Sequence, residues 1–227
     1  MNLKLIKSLL ALAFLASLAG CATKRSSTSP FASAVSSSAA SAPTAAPTRR
    51  KSSAQQTFFA ALSAECGRAF AGRIVADRPA PTGADPFAGK RLVMHVHECT
   101  GSELRIPFHV GDDRSRTWVL TRTPTGLRLK HDHRHADGSE DKVTQYGGDT
   151  QVPGTAIRPA FPVDEYSKAM FLRENLPASV TNIWAFELHP GNTLVYELSR
   201  PGGRLFRVEF DLSKPVANPP PPWGNSR

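Results

Sequence analysis

The stretch NIWAFELHPGNTLVYELSRPGGRLFRVEFD, residues 182–211, decides the fold. Apolar and polar side chains alternate within it in three runs, at 182–188, 193–199 and 204–211. This period of two is typical of antiparallel strands that have one buried and one solvated face. The segments between the runs carry Pro followed by Gly, which suits the central positions of a type II turn. The stretch therefore predicts a three-stranded meander.

The same alternation recurs upstream in shorter runs that are bounded by turn residues. About ten short strands with tight turns predict a mainly β domain. Meander connections favour an antiparallel barrel, because closure removes the exposed strand edges, and a β-sandwich is the alternative. The candidate strands are 91–98, 103–111, 116–122 and 127–135, with weaker ones at 73–77, 142–146 and 155–161.

Two short helices are predicted, one before the strands and one inserted among them. Thr57 is the candidate N-cap of the first helix, which is predicted to end near residue 69. Asp164 is the candidate N-cap of the second helix, and Pro177 follows its end.

The predicted architecture resembles that of the calycin group, the lipocalin and fatty-acid-binding barrels, which also combine a leading helix with antiparallel strands. The segments 112–118 and 127–148 resemble parts of uncharacterised bacterial secreted proteins. Both resemblances concern architecture and imply no activity.

Leu18-Ala19-Gly20-Cys21 ends the first apolar run and resembles the lipobox of bacterial lipoproteins. The run is too short to span a bilayer and suits a secretory signal, for which an ordinary signal peptide is the alternative interpretation. The lipobox resemblance implies that Cys21 becomes the lipidated N-terminus and anchors the protein in a membrane. Ala22 stands where lipoproteins retained in the inner membrane often carry Asp, which implies the outer membrane, facing the periplasm.

Composition divides the chain into four parts. They are a signal peptide at 1–20, a lipidated Cys with a Ser/Ala/Pro-rich tether at 21–55, a single β-rich periplasmic domain at 56–214, and a Pro-rich tail at 215–227. The tether has too few large apolar side chains to offset its ordering entropy. Four consecutive prolines in the tail predict a solvated polyproline II segment.

The net charge of +9 is placed mostly on the tether. The first 55 residues contain seven basic side chains and no acidic one, so only +2 remains for the rest of the chain. A nucleic-acid surface would need this charge on the folded part. The sequence therefore predicts no nucleic-acid partner, and a basic tether that lies near anionic lipid head groups.

Cys66 and Cys99 are the two cysteines that follow the anchor. An even pair in an oxidising compartment predicts a disulfide, here between the end of the first helix and an early strand. A reactive pair is the alternative, but the Cys-x-x-Cys spacing is missing.

The sequence favours a binding function over catalysis. It has no Gly-x-Ser-x-Gly elbow, phosphate loop, dinucleotide fingerprint or His-Glu-x-x-His motif. We expect a barrel that binds a small apolar or amphipathic ligand, or an envelope interaction module, and Arg114, Arg116 and Arg122 are candidates to steer an anionic ligand. The aromatic side chains expected to line the interior are Trp118, Trp184, Phe186, Tyr196 and Phe206.

Three histidines supply the alternative hypothesis, a zinc or copper site that could be catalytic. His131, His133 and His135 alternate along one predicted strand, so their imidazoles share a face. Same-face neighbours lie about 7 Å apart, so one metal would take two of them and a further ligand from an adjacent strand. His95 and His109, by contrast, are predicted to face solvent.

Overall fold

Eleven strands and two α-helices make up residues 53–83 and 85–224, the part of the chain that the computed structural model describes. The strands are β1 (Ala69–Arg78), β2 (Leu92–His95), β3 (Glu98–Cys99), β4 (Glu103–Val110), β5 (Asp113–Thr123), β6 (Gly126–His133), β7 (Tyr146–Asp149), β8 (Ala160–Pro162), β9 (Ile183–His189), β10 (Thr193–Ser199) and β11 (Leu205–Val216). The helices are α1 (Ala54–Ser63), α2 (Glu165–Arg173) and a 3₁₀ helix (Pro177–Thr181).

The strands form one antiparallel sheet that is nearly closed into a barrel. Its order is β7-β6-β5-β4-β2-β1-β11-β10-β9-β8, and β3 pairs with β4 off this path. The predicted meander is confirmed as β9, β10 and β11, in which Tyr196 pairs with Phe186 on one side and with Val208 on the other. The prediction of a β-barrel with two helices is therefore confirmed.

A seam between β7 and the start of α2 brings the two ends of the sheet together. The Asp164 amide donates to the Gly147 carbonyl at 2.9 Å, and the Gly147 amide donates to Ser167 Oγ at 2.8 Å. A Cβ on Gly148 would lie 1.8 Å from the Pro162 carbonyl oxygen, so only glycine lets the two backbones approach this closely.

Helix α1 closes one end of the barrel. Phe58 and Leu62 are fully buried, and the Phe58 ring stacks on Phe186 at a centroid distance of 6.5 Å. At the same end, the Arg122 guanidinium near the end of β5 lies over the Phe59 ring. The opposite end of the barrel, where β5 begins and β6 ends, is not covered by α1.

The predicted bounds of the first helix were wrong at both ends. Ser53 is the N-cap instead of Thr57, because Ser53 and Gln56 bond reciprocally in a capping box. The helix ends at Ser63 instead of near residue 69, and Gly67 in the left-handed conformation (φ 79°) turns the chain toward β1. None of the described helices is both long and apolar enough to cross a membrane.

The predicted disulfide between Cys66 and Cys99 is confirmed. It joins the turn after α1 to β3 across 33 residues of chain. In the chain-entropy account, a loop of this length contributes about 3–4 kcal/mol to stability. The bond therefore holds the α1 end of the barrel together.

Two of the weaker predicted strands are displaced. Residues 142–146 contribute only Tyr146 to β7, because the Asp141 carboxylate accepts from the Val143 amide at 2.8 Å and holds the preceding residues in a turn. Residues 155–161 contribute only the end of their range to β8, because Thr155 Oγ1 accepts from the Arg158 amide at 3.1 Å.

The Pro-rich tail does not project into solvent as predicted. Residues 217–224, here called the strap, lie on the barrel wall. Asn218 Nδ2 donates to the Gly67 carbonyl, Arg114 Nη1 donates to the Pro221 carbonyl, and the Trp223 amide donates to the Arg114 carbonyl, each at 3.1 Å. Proline suits such a docked segment because it has no backbone N–H that would lose its hydrogen bond to water on docking. Its fixed φ also lowers the conformational entropy that the strap loses when it becomes ordered.

The strap also corrects the prediction for two histidines on the outer face. His95 and His109 are 6% and 3% exposed and are not open to solvent. His109 shares a pocket with strap residues 217–220, and the Gly67 carbonyl that bonds Asn218 also bonds the His95 ring. The strap therefore covers a face that strand alternation alone assigns to water.

We predict that Gly148→Ala lowers the free energy of unfolding by about 1–3 kcal/mol, because the new methyl group overlaps backbone at the seam. Gly101→Ala is the matched control, since its Cβ would meet nothing within 4 Å. Urea denaturation of both variants measures the difference. Equal stability of the two variants would contradict the close approach at the seam.

Candidate functional site

The barrel interior is largely filled by its own side chains. Trp184 and Phe186 are 1% and 0% exposed and lie in the continuous apolar core. The Phe186 ring packs between Phe58 of α1 and Trp118 of β5. No long acyl chain therefore fits along the barrel axis without displacing core side chains.

A cavity of about 180 Å³ lies inside the barrel, at the end that α1 does not cover. We call it the mouth cavity. Its apolar walls are the rings of Phe87, Phe108, Trp118 and Phe206. Phe108 and Trp118 stack at 4.9 Å with an interplanar angle of 14°, and Phe87 meets Phe206 at 5.0 Å. The second pair is tilted by 34°, so the cavity has aromatic rings on several sides, which suits a planar apolar group.

Two arginines lie among these rings. Arg116 Nη1 donates to Asp113 at 2.5 Å, and the guanidinium lies 6.0 Å from the centre of the Phe87 ring. Arg204 Nη1 pairs with Asp77, and the guanidinium lies over the Phe206 ring. Within the described residues, each arginine makes its hydrogen bonds through Nη1 alone. The Nε and Nη2 donors of both therefore remain for a ligand.

A buried hydrogen bond crosses the interior beside the cavity. His131 Nδ1 lies 3.1 Å from the Tyr146 carbonyl oxygen, which can only accept, so Nδ1 carries the proton. His131 Nε2 therefore accepts from the Tyr196 hydroxyl at 2.9 Å. Burial lowers the pKa of His131 to about 3 and raises the pKa of Tyr196 well above its ordinary value. Both groups are uncharged at neutral pH.

His133 extends this polar network to the cavity wall. Its Nε2 bonds the Tyr146 hydroxyl at 3.1 Å. Burial, and then the nearby charge of Arg116, lower the pKa of His133 to about 4. Burial also raises the pKa of the Tyr146 hydroxyl. The histidine and tyrosine side chains are thus neutral, and the positive charge at the cavity comes from arginine.

The sequence-predicted ligand residues divide into two sets. Trp118, Tyr196 and Phe206 line the mouth cavity, whereas Trp184 and Phe186 lie deeper in the filled core. Of the three arginines named as rim candidates, Arg116 lines the cavity, Arg114 bonds the strap, and Arg122 lies at the α1 end.

Sequence reasoning missed Phe87, Phe108 and Arg204, which also line the cavity. Phe87 could have been noticed, because it is the one large apolar side chain of a loop rich in Pro, Ala and Gly. Arg204 follows a Pro-Gly-Gly turn and gives no such signal, since turn-flanking arginines are common on surfaces.

The three predicted metal ligands are not brought together. His131 and His133 do come together, since both line the mouth cavity and both pack on the Tyr146 ring, but both ring nitrogens of His131 are bonded to protein groups. His135 lies beyond the end of β6, where its amide donates to the Ser139 carbonyl in a turn. Across residues 53–83 and 85–224, no group of three or more His, Cys, Asp or Glu side chains could hold a metal ion. The zinc or copper hypothesis gains no support from this geometry.

The predicted lipidation site, Cys21, lies outside the described residues. Comparison with protein-family models, with curated proteins and with solved structures found no match for this chain. Its function must therefore be argued from the site.

We predict that the free energy of unfolding falls as the pH drops from about 6.5 toward 4. His131 and His133 have folded-state pKa values of about 3 and about 4, below the ordinary 6.5, so the unfolded chain binds more protons in this range. Each contributes a slope of about 1.4 kcal/mol per pH unit, and buried His109, with a pKa of about 4, adds to it in the same direction. Urea denaturation at several pH values measures the slope.

His133→Phe should remove one histidine's share of this slope. Leu198→Ala is the control, because Leu198 lines the same cavity and does not titrate, so this variant should lose stability equally at every pH. Parallel stability curves for the native protein and His133→Phe would show that His133 is not held neutral by folding.

Proposed function

We propose that this protein is a lipid-anchored binding protein of the bacterial envelope, whose mouth cavity takes a small ligand that combines one flat apolar ring with an anionic group. The ligand is bound without chemical change. The observation that carries the proposal is the meeting of stacked aromatic walls with two arginines in one cavity inside the barrel.

The size of the cavity limits the apolar part of the ligand. A dry cavity of about 150 Å³ in another protein accommodates benzene. The mouth cavity, at about 180 Å³, therefore has room for one six-membered ring and little more. This differs from a barrel with an apolar pocket of several hundred Å³, which would suit a long lipid chain.

The charges at the cavity favour an anion. Arg116 and Arg204 are each paired with one carboxylate but retain further donors, and a guanidinium binds a carboxylate or phosphate through two parallel hydrogen bonds. Neutral His133 and Tyr146 add no negative charge that would repel the ligand.

Two features support a location in the envelope. The Cys66–Cys99 disulfide is typical of proteins that fold in an oxidising compartment such as the periplasm. The lipobox-like Leu18-Ala19-Gly20-Cys21 supports lipidation at Cys21 and anchoring in the outer membrane, facing the periplasm. The proposed partners are thus a membrane, through the lipid, and the small ligand of the barrel.

We predict that the folded domain binds benzoate in the mouth cavity with a change in Trp118 fluorescence and a heat measurable by titration calorimetry. Arg116→Gln and Arg204→Gln should each weaken this binding about tenfold or more, because each removes a hydrogen bond to a charged group. Arg128→Gln is the matched control, since Arg128 pairs with Asp149 away from the cavity, and its affinity should be unchanged.

Decanoate serves as a second ligand in the same titration. The filled interior has no room for a ten-carbon chain, so decanoate should bind at least about tenfold more weakly than benzoate. Tighter binding of decanoate would contradict a cavity of one-ring size. Absence of benzoate binding would contradict the proposed function itself.

We predict that Cys21→Ser moves the protein from the membrane fraction to the soluble periplasmic fraction, because the acyl chains can no longer be attached. Ala22→Asp keeps the lipid and should shift the protein from the outer to the inner membrane. Density-gradient fractionation followed by immunoblotting measures both. An unchanged membrane association of Cys21→Ser would exclude Cys21 as the anchor.

A further inference from the structure

A second and larger site lies on the outer face of the barrel, between the strap and the wall formed by β4, β5 and β6. It is a cleft of about 690 Å³, which we call the strap cleft. Its volume is within the range of about 300–1,000 Å³ that small-molecule sites occupy. Of the residues that line it, Thr117 of β5 also borders the mouth cavity, and the others lie apart from that cavity.

Three side chains in one cross-strand row form the floor of the strap cleft. Pro107 of β4 pairs with Thr117 of β5, which pairs with Asp132 of β6. The Asp132 side chain is only 5% exposed and is held by Arg105 at 2.7 Å and Arg134 at 2.8 Å. Because each arginine bonds a different oxygen of one carboxylate, the polar groups of the floor are fixed before any ligand arrives.

The formal charges along the strap cleft cancel. Among the residues that line it, Arg105 and Arg134 carry positive charge, and Asp132 and Glu98 carry negative charge. Glu103 and Glu140 pair with the same two arginines at 3.7 and 3.0 Å but lie outside the lining. The arrangement therefore offers no net attraction to a free anion or a free cation. It does place guanidinium donors next to carboxylate acceptors, which matches a ligand whose groups both donate and accept. Neighbouring hydroxyl groups have this property.

The opposite wall is the indole of Trp223, at the end of the strap. The backbone of Trp223 is held by the hydrogen bond from its amide to the Arg114 carbonyl. The next residue, Gly224, lies so close to Arg134 that a Cβ on it would be 3.2 Å from Arg134 Cγ. An aromatic face opposite a polar, charge-balanced floor suits a molecule with one apolar face and a rim of hydroxyl groups.

We propose that the strap cleft binds a neutral saccharide, with a sugar ring against Trp223 and its hydroxyl groups on Arg105, Arg134 and Glu98. The site exists only while the strap is docked, because the strap supplies the aromatic wall. This makes the Pro-rich tail a structural part of a binding site. The proposal is independent of the mouth cavity and of the ligand proposed for it.

The test uses the native disulfide-bonded domain with its complete tail and three neutral trisaccharides, chitotriose, cellotriose and maltotriose. At least one should bind with a Kd below about 1 mM by titration calorimetry. Trp223→Ala and Glu98→Gln should each weaken this binding at least tenfold. Tyr166→Ala is the matched control, because Tyr166 is also an exposed aromatic residue, 57% exposed on α2, that does not line the cleft, and this variant should bind as the native protein does.

Benzoate binding in the same samples distinguishes the two sites. Trp223→Ala should bind benzoate with the native affinity, which would show that its fold is intact. If benzoate does not bind the native protein, an unchanged unfolding temperature of Trp223→Ala serves as the same control. The proposal is overturned if none of the three trisaccharides binds, or if Trp223→Ala and Glu98→Gln both bind as the native protein does. Preferential binding of triglutamate or trilysine over all three sugars would also overturn it, since a charge-balanced cleft should favour neither.

Discussion

A hydrogen bond from the Tyr196 hydroxyl to Nε2 of His131 crosses the barrel interior from β10 to β6, two strands that are not neighbours in the sheet. β6 lies one position from one end of the sheet and β10 lies two positions from the other end, so the bond ties the two halves together behind the seam. A buried polar pair is stable only if each group is satisfied and uncharged, and the Tyr146 carbonyl completes the pair by accepting from Nδ1. The barrel can therefore close over polar groups without admitting water.

The form of the candidate site follows from this closure. Because Tyr196 and His131 bond across the interior at the base of the mouth cavity, with Trp118 and Trp184 packed around them, side chains block a channel along the barrel axis. At one end lies a cavity that is bounded by aromatic rings and lined by two partly exposed arginines. Apolar walls provide burial and the arginines provide charge, which is the combination that an amphipathic ligand of one-ring size requires.

Much of the fold and part of the candidate site were predictable from the alternation of apolar and polar residues in the sequence. The period of two identified the meander and placed Trp118, Tyr196 and Phe206 on the inner face, and the cysteine count identified the disulfide. Depth along the barrel was not predictable, because alternation reports which face a side chain takes and not how near the mouth it lies. Trp184 shares the inner face but lies deeper than the cavity.

The strap was mispredicted for a related reason. A run of prolines has no period that marks burial, so its docking and the burial of His95 and His109 beneath it depend on contacts between distant residues. The central claim is that a small ligand enters the barrel interior at the mouth cavity, beside a core filled by side chains. A crystal structure of the domain grown with benzoate tests it most directly. The account predicts one ring between the Phe87 and Trp118 side chains with its carboxylate on Arg116 or Arg204. Benzoate bound elsewhere, with the mouth cavity empty, would contradict it.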